Sequence, residues 1–309
     1  MLKRKLRRLR LVLEDSRWWP FYIQRRFMNP VTRSKLTAWV AKTRPKSLQM
    51  TTTPAILLKH AQELNSAGIS HLGAVLTASQ TLELRTYFSG LKVFDDYRPE
   101  TPPFLPHSDL RHPQSHVAHH NACDIIRAPY LLKLANDPLL IDIAGKFLGC
   151  KPTIGYLATW WSYRTTNGAQ QAEHFHRDVD DLKFLKLFIY LTDVGENNGP
   201  HIYVTHSSSS NKLCEIRRFD DAEVVSQFGR ENILQLTGNS GECFLEDTFG
   251  IHKGQPVQEG IRLIFQVVYS IFPLPYGPRT PVIKQSELTL NEINALDPWV
   301  NRLYVSCDE

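Results

Sequence analysis

With 309 residues, of which 42% are hydrophobic and 22% charged, the chain has the size and composition of a globular protein with one large core. Five cysteines are scattered without any CxxC spacing, which argues against a disulfide framework or a cysteine-rich zinc site. No stretch approaches the length of a membrane-spanning helix, and lysines and arginines interrupt the first leucines where a secretory signal needs an apolar run. We therefore expect a cytoplasmic protein, either free or attached to a membrane surface from that side.

The net charge of +5 conceals two unequal parts of the chain. Residues 1–50 carry 14 lysines and arginines but only two acids, whereas the other 259 residues carry 22 basic and 29 acidic side chains. The basic character therefore belongs to the N-terminal segment. We predict a basic N-terminal extension over residues 1–50, one domain over residues 51–275 and a C-terminal extension over residues 276–309.

The first residues have the pattern of an amphipathic helix, in which one face carries Leu2, Leu6, Leu9 and Leu13. Six lysines and arginines cover the other faces, and Pro20 is expected to end the helix. A basic helix followed by aromatic residues suits an anionic membrane surface, which predicts a membrane contact through residues 1–22. A helix packed on its own domain, or a solvated tail, is an equal alternative. No DNA- or RNA-binding motif accompanies the charge, so we expect no nucleic acid partner.

Helical patterns dominate the chain up to residue 149. Helices are predicted over 51–67, from Ser79 to Phe88, and over 129–149, where Pro138 breaks the helix into a pair. A short strand is expected over 71–76. The stretch 97–128 is rich in proline, histidine and charge but has no period, which predicts a long loop.

From residue 152 onward the sequence is rich in β-branched and aromatic residues between turn signals. Strands are predicted over 154–164, 185–194, 201–205, 241–249 and 262–272. Helices followed by strands indicate a mainly β fold with a helical layer packed on one side.

The residues with the clearest chemical pattern are His176, Asp178 and His252, followed ten positions later by Arg262. In a strand, His176 and Asp178 would point to the same face because side chains alternate with a period of two. Two imidazoles and one carboxylate form the facial triad that binds iron(II) and leaves coordination positions free. Arg262, at the start of an apolar strand, is suited to hold a dicarboxylate through paired charge-assisted hydrogen bonds.

A second His-X-Asp triplet, His107-Ser108-Asp109, shows that this triplet alone is weak evidence. It lies between prolines in the predicted loop, with no strand around it and no arginine at the matching offset, so we interpret it as a chance occurrence. The same loop contains a histidine cluster that invites a zinc or nickel site. Because the cluster lacks cysteines and regular ligand spacing, a surface or a lid over a pocket is the favoured interpretation.

The order of motifs around His176 resembles that of the phytanoyl-CoA dioxygenase-like family of Fe(II)/2-oxoglutarate-dependent oxygenases. That family has a metal-binding His-X-Asp, an apolar strand ending near an aspartate, an asparagine-glycine-proline turn, a further strand, a distal histidine and then an arginine. In this chain these elements are His176-Arg177-Asp178, Asp193, Asn198-Gly199-Pro200, residues 202–204, His252 and Arg262. The resemblance covers roughly residues 55–272. It departs from the family at His206-Ser207-Ser208, where a Gly-Ser-His ending is usual, which affects the substrate contacts of that loop.

The resemblance implies a double-stranded β-helix, or jelly-roll, core. It implies that His176, Asp178 and His252 bind Fe(II) and that Arg262 holds the far carboxylate of 2-oxoglutarate. Lys186 and Tyr163, on the strands after and before the triplet, are implied as further cosubstrate contacts. The implied reaction uses O2 to hydroxylate an unactivated C–H bond of a small-molecule or lipid-linked substrate, with succinate and CO2 as co-products.

Other functions on the same fold are a catalytically inactive jelly-roll binding protein, a halogenase, and an oxygenase that acts on a macromolecular substrate. A degenerate site usually loses a ligand, and a halogenase typically replaces the metal carboxylate with a small residue. The presence of Asp178, together with both histidines and Arg262, therefore disfavours the first two. The substrate is expected to be set by the loops over residues 89–128 and 205–240, which contain no motif that identifies it.

Overall fold

The computed structural model describes residues 9–46 and 54–306. Residues 9–14 are helical, and further helices are Trp18–Gln24, Pro30–Ala41, Pro54–Ser66, Ala78–Ser89, Ala122–Arg127, Leu131–Ala135, Pro138–Leu148, Asp221–Phe228, Leu290–Ala295 and Pro298–Asn301. The strands are β1 (Ile69–Ala74), β2 (Val117–His119), β3 (Thr153–Tyr163), β4 (Phe184–Tyr190), β5 (His201–Val204), β6 (Ile233–Leu236), β7 (Glu242–Glu246), β8 (His252–Gly254), β9 (Ile261–Ser270), β10 (Ile283–Lys284) and β11 (Val305–Ser306).

Two antiparallel sheets form the β core. The larger has the strand order β1-β7-β4-β9-β3-β2, and the smaller has the order β6-β5-β8. Aromatic and aliphatic side chains of both sheets meet in one buried cluster, where Phe188 and Phe244 from the larger sheet pack with Tyr203 and Leu236 from the smaller one. Most neighbours in these two sheets are not consecutive along the chain, as in a jelly roll. The predicted mainly β fold with a helical layer is therefore confirmed.

Alternation along β4 assigns the two faces of the larger sheet. Leu185, Leu187 and Ile189 are fully buried in the main hydrophobic core, which also contains Ile143 and Phe147 of helix Pro138–Leu148. Fully burying one such side chain stabilises the fold by roughly 1.5–3 kcal/mol, so this face anchors the helical layer. The intervening residues, including Lys186, project from the opposite face, toward the smaller sheet.

The structure corrects the sequence prediction at several short elements, whose sequence signals are weak. The stretch predicted as a long loop, 97–128, contains β2 and helix Ala122–Arg127. Three residues are too few to display alternation, and β2 exists because Ala118 pairs with Trp161 of β3. The strands β6 and β8 and the helix Asp221–Phe228 were likewise not predicted.

Pro20 does not end a helix as predicted, because it lies in the first turn of helix Trp18–Gln24. A proline is tolerated there since the first-turn N–H groups have no intrahelical partner. Of the predicted leucine stripe, Leu2 and Leu6 lie outside the described residues. Leu9 and Leu13 are 55% and 79% exposed.

The helices of the N-terminal segment that follow pack against the β domain. The buried Arg33 guanidinium donates to the Gln24 side chain at 2.9 Å, to the Phe27 carbonyl at 3.0 Å and to the carbonyl of Asp181. Arg17 donates to the carbonyls of residues 274, 277 and 278 at 2.7–3.2 Å.

The division of the chain at residues 50 and 275 remains a prediction. None of the described helices is long and apolar enough to cross a membrane.

Candidate metal centre

A backbone bridge brings the predicted metal-binding residues together. The His176 N–H donates to the His252 carbonyl at 2.9 Å, and the His252 N–H donates to the His176 carbonyl at 3.0 Å. Two residues further on, the Asp178 N–H donates to the Thr248 carbonyl at 2.9 Å. Residues 176–178 thus run as a short extended segment beside β8, and extended backbone directs His176 and Asp178 to the same side.

The side chains of this triad converge on one point. His176 Nε2 lies 3.6 Å from Asp178 Oδ1, and His252 Nε2 lies 3.2 Å from Asp178 Oδ2. One ligand atom from each of the three residues lies within 4.8 Å of the others, the only such group of histidine, cysteine and acidic side chains in the part of the chain that the structure describes. This donor set is the one that suits iron(II) with open coordination positions.

Hydrogen bonds to backbone carbonyls orient both imidazole rings. His176 Nδ1 lies 2.9 Å from the His174 carbonyl, and His252 Nδ1 lies 3.0 Å from the Gly250 carbonyl. A carbonyl can only accept, so each Nδ1 carries the proton and donates. In the neutral tautomer this leaves a lone pair on each Nε2, the ring atom that lies beside the Asp178 carboxylate. The two rings therefore fit a metal ion without rearrangement.

The protonation states of the triad differ with their surroundings. Burial, reinforced by the neighbouring His252, lowers the pKa of His176 to about 4, so this ring is neutral at pH 7. Burial also opposes a charge on His252, but the adjacent Asp178 carboxylate outweighs it and raises the pKa of His252. For Asp178, burial is outweighed by Lys186 and His252, which hold the pKa of the carboxyl well below its usual range.

Lys186 forms a buried ion-pair network beside the triad. Its Nζ lies 2.6 Å from Asp178 Oδ2 and 3.0 Å from Asp180 Oδ2. Burial opposes a charge on the ammonium, yet the two carboxylates outweigh it and raise the pKa of Lys186. Lys186 is therefore charged and holds Asp178 in place by a charge-assisted hydrogen bond. It also lines the cavity at the triad.

Arg262 lies in the same cavity, of about 240 Å³, which opens beside the triad. Its guanidinium donates to Ser162 Oγ at 3.0 Å and to the Gly199 carbonyl of the asparagine-glycine-proline turn. Gly199 has a φ of +73°, and a Cβ there would approach Gln255 O to 2.7 Å, so this turn requires glycine. The buried Arg262 Nε has no hydrogen-bond partner among the described residues. A buried cation with an unsatisfied donor fits an incoming carboxylate.

Tyr163 does not line this cavity. It neighbours Ser162 on β3, and side chains alternate along a strand, so it projects to the other face of the sheet and belongs to the main hydrophobic core. Arg111 lies over its ring, 4.7 Å from the ring centroid. Lys186 and Arg262 are thus brought together with the triad, whereas Tyr163 is not.

Sequence patterns missed a buried pair next to the triad. His201 Nε2 lies 2.9 Å from Glu246 Oε2, and the His201 ring stacks on His252 with centroids 5.5 Å apart. Burial raises the pKa of Glu246 to about 8 and lowers the pKa of His201 well below its ordinary value. The available signal in the sequence was His201 itself, a polar residue in the apolar strand β5. Alternation with Ile202 places it at an inward-facing position of that strand.

The second His-X-Asp triplet and the histidine-rich loop lie in different places relative to the triad. His107 of the second His-X-Asp triplet is exposed, and its Nε2 lies 3.1 Å from Ser89 Oγ. From the histidine-rich loop, His116 and His119 line the triad cavity.

Comparisons with known proteins support the same fold. No family model and no curated protein matches the sequence. Among solved structures, EctD from S. alaskensis in its apo form matches with a TM-score of 0.51 and 20% identity, over 73% of this chain and 82% of that chain. EctD with 2-oxoglutarate and 5-hydroxyectoine matches with a TM-score of 0.50 and 17% identity, over 86% of this chain and 94% of that chain. The epimerase SnoN, in complex with Fe3+, alpha ketoglutarate and nogalamycin RO, matches with a TM-score of 0.49 and 18% identity, over 70% and 84% of the two chains.

These likenesses establish the fold. The chain has the jelly roll of the iron- and 2-oxoglutarate-dependent oxygenases, which confirms the predicted fold class and, at the level of the fold, the resemblance seen in the sequence motifs. Within that fold, His176, Asp178 and His252 form a His-X-Asp…His triad.

The raised pKa of His252 predicts pH-dependent metal binding. In the metal-free protein His252 retains a proton at pH values below its raised pKa, and a metal ion must displace this proton. The affinity for Co(II), measured by titration calorimetry, should therefore fall by about tenfold for each pH unit below that pKa. Equal affinities at pH 6 and pH 8 would contradict this, and the exposed-site variant His107→Ala should show the same slope as the parent.

Proposed function

We propose that this protein is an Fe(II)/2-oxoglutarate-dependent dioxygenase that hydroxylates an unactivated C–H bond of a small-molecule or lipid-linked substrate. The observation that carries the proposal is the convergence of the His176, Asp178 and His252 donor atoms within 4.8 Å of one another, while both Nδ1 atoms are hydrogen-bonded to backbone carbonyls. The unpartnered Nε of Arg262 in the same cavity supports a dicarboxylate cosubstrate.

In this proposal His176, Asp178 and His252 hold the iron, and Arg262 binds the far carboxylate of 2-oxoglutarate. When bound, iron(II) with 2-oxoglutarate supplies the oxygen chemistry, which consumes O2 and releases succinate and CO2. Lys186 acts on the metal side of the cavity, where its ammonium keeps Asp178 ionised and oriented. Trp160, Phe188 and Ile264 line the cavity and exclude water from the reacting atoms.

Hydroxylation is the proposed reaction because the site retains its carboxylate, which disfavours halogenation. Among the solved structures that resemble this chain are an epimerase and a carbocyclase, and these reactions are competing outcomes. A cavity of about 240 Å³ favours a small molecule, or one protruding group of a larger one. A binding protein without catalysis is disfavoured because all three donors and Arg262 are present.

A peripheral membrane contact is a second, independent part of the proposal. The outer face of the N-terminal helices exposes Leu9, Leu13, Trp19, Ile23 and Trp39. Exposed basic side chains accompany them in a segment that carries 14 basic but only two acidic residues. Apolar side chains with interspersed cations suit an anionic bilayer, which would present a lipid-linked substrate to the cavity.

Iron binding should be visible directly. Under anaerobic conditions, Fe(II) and 2-oxoglutarate should give the weak visible metal-to-ligand charge-transfer absorption of this enzyme class. His176→Ala, Asp178→Ala and His252→Ala should each abolish the band because each removes one of three ligands. A band of full strength in any of these variants would remove that residue from the ligand set. His107→Ala, in the second triplet, should leave the band unchanged.

Arg262 should determine the affinity for the cosubstrate rather than for the metal. Losing a buried carboxylate partner costs about 2–5 kcal/mol, so Arg262→Met should weaken 2-oxoglutarate binding by roughly 30-fold or more while Co(II) affinity is retained. The matched control is Lys253→Met, because Lys253 points away from the cavity and pairs with Asp221 at 2.7 Å. Parent-like 2-oxoglutarate affinity in Arg262→Met would refute the assigned role.

Membrane attachment should depend on the exposed leucines. The double variant Leu9→Glu/Leu13→Glu should lose co-sedimentation with vesicles that contain phosphatidylserine, because it replaces exposed apolar surface with negative charge. Leu110→Glu is the control, since Leu110 is 81% exposed but belongs to the loop between helix Ala78–Ser89 and β2. Sedimentation equal to that of the parent, or no sedimentation of the parent, would contradict membrane attachment and would favour a water-soluble substrate.

A further inference from the structure

A second cavity, separate from the triad, lies between the N-terminal helices and the β domain. It has a volume of about 460 Å³, and none of its described lining residues is shared with the triad cavity. Helix Pro30–Ala41 forms one wall, and residues 146–149 with Leu182 and Lys183 form another. The proposed oxygenase reaction makes no use of this cavity.

The lining of this second cavity is strongly cationic. The described residues that line it include a single carboxylate, Asp247, against five basic side chains: Arg33, Lys42, Lys46, Lys146 and Lys183. The ion pairs that lysines form within the described ranges of the chain involve Lys59, Lys151, Lys186 and Lys253, so none of the four lysines of this cavity has one. Residues 47–53, which follow Lys46 in sequence, contain no acid that would neutralise them. Uncompensated positive charge in a concave surface concentrates anions.

Lys183 is the least exposed lysine of this cavity. The side chain is half-buried, its Nζ lies 3.8 Å from the centroid of the Phe147 ring, and burial lowers the pKa of the ammonium while Asp247 opposes the shift. Within the described residues Lys183 donates no hydrogen bond, so its ammonium, which has three donors, retains hydrogen bonds to offer. An anion that enters the cavity is the natural acceptor for them.

Thr37 provides an independent indication of a missing partner. It lines the cavity and is only 6% exposed, yet its hydroxyl has no hydrogen-bond partner among the described residues. Buried hydroxyls are usually paired, since an unpaired one costs about 1–3 kcal/mol. Three other hydroxyls, those of Ser34, Ser208 and Ser209, border the same space. Hydroxyl and ammonium donors together suit an anion with several oxygen atoms.

Helix dipoles account for only part of this charge. Lys42 and Lys146 lie at the C-terminal ends of their helices, where a cation stabilises the helix in any case. That explanation does not extend to Lys46 or Lys183, which lie outside helices. It also leaves the Thr37 hydroxyl without a partner.

We propose that this cavity is a binding site for a phosphate-bearing compound, with Lys183 as the deepest contact and Lys42, Lys46 and Lys146 at the rim. Lysine binds phosphate as a point charge, and several lysines neutralise a group that carries more than one negative charge. Phe147, Phe249 and Leu182 supply an apolar wall for the organic part of the ligand. The phosphate could belong to a soluble metabolite or to a lipid headgroup.

Titration calorimetry with inorganic pyrophosphate tests the site, in metal-free buffer at constant ionic strength. The parent should bind, and Lys183→Met should weaken binding by about tenfold, the loss expected from one charge-assisted hydrogen bond. Lys42→Met, at an exposed position that does not endanger folding, should weaken it in the same direction. Lys35→Met is the matched control, since Lys35 is exposed on the same helix but outside the lining.

No binding by the parent, or equal losses in Lys35→Met and Lys183→Met, would overturn the proposal. Arg262→Met should bind pyrophosphate like the parent, and a loss there would place the anion in the triad cavity and overturn it as well. Because no iron is present, these results do not depend on the oxygenase proposal. Vesicles of phosphatidylcholine with a phosphorylated inositol lipid identify the source. Binding that pyrophosphate displaces assigns a lipid headgroup, whereas absence of vesicle binding alongside pyrophosphate binding assigns a soluble compound.

Discussion

The metal centre depends on the pair of backbone hydrogen bonds between His176 and His252. These bonds, at 2.9 and 3.0 Å, join two segments that are 76 positions apart in sequence and bring the two imidazole rings to a centroid separation of 4.3 Å. The Asp178–Thr248 hydrogen bond continues the pairing and fixes the direction of the carboxylate. A shift of one residue in this register would turn His176 and Asp178 away from His252, because extended chains alternate. The convergence of the triad is thus a property of backbone pairing rather than of side-chain flexibility.

Charge compensation differs between the two buried cations of the cavity. Lys186 has two carboxylates within 3.0 Å, so its desolvation is offset inside the protein. Arg262 has only neutral acceptors, Ser162 Oγ and the Gly199 carbonyl, among the described residues. Burial accordingly lowers the pKa of Arg262, with Tyr190 and Glu173 acting in the opposite direction. One end of the cavity is therefore electrostatically complete, while the other retains an unpaired positive charge suited to a carboxylate.

The N-terminal segment has a structural role as well as a charge. Arg33 connects helix Pro30–Ala41 to the Asp181 carbonyl, and its guanidinium lies 4.4 Å from the centroid of the Phe249 ring. Arg177, the middle residue of the His-X-Asp triplet, lies over the same ring at 5.1 Å. Phe249 thus lines the second cavity and also contacts the guanidinium of the residue between the two metal-binding positions His176 and Asp178. The segment supplies a wall of that cavity, and its opposite face exposes apolar side chains.

The sequence by itself determined the fold class, the triad and Arg262 as a candidate set, because strand alternation, glycine-proline turns and motif order are local or linear signals. It placed the long strands β3, β4 and β9 within a few residues, since ten or so apolar and β-branched residues leave little ambiguity. It could not determine which side chains contact the metal-binding residues. Ion pairing of Lys186 with Asp178 and Asp180, the core position of Tyr163 and the His201–Glu246 pair all follow from which strands are neighbours and in which register. The short strands β2, β6 and β8 exist only because a partner strand supplies their hydrogen bonds. Sequence patterns describe one segment at a time, whereas these features are decided by contacts between segments that only the folded chain brings together.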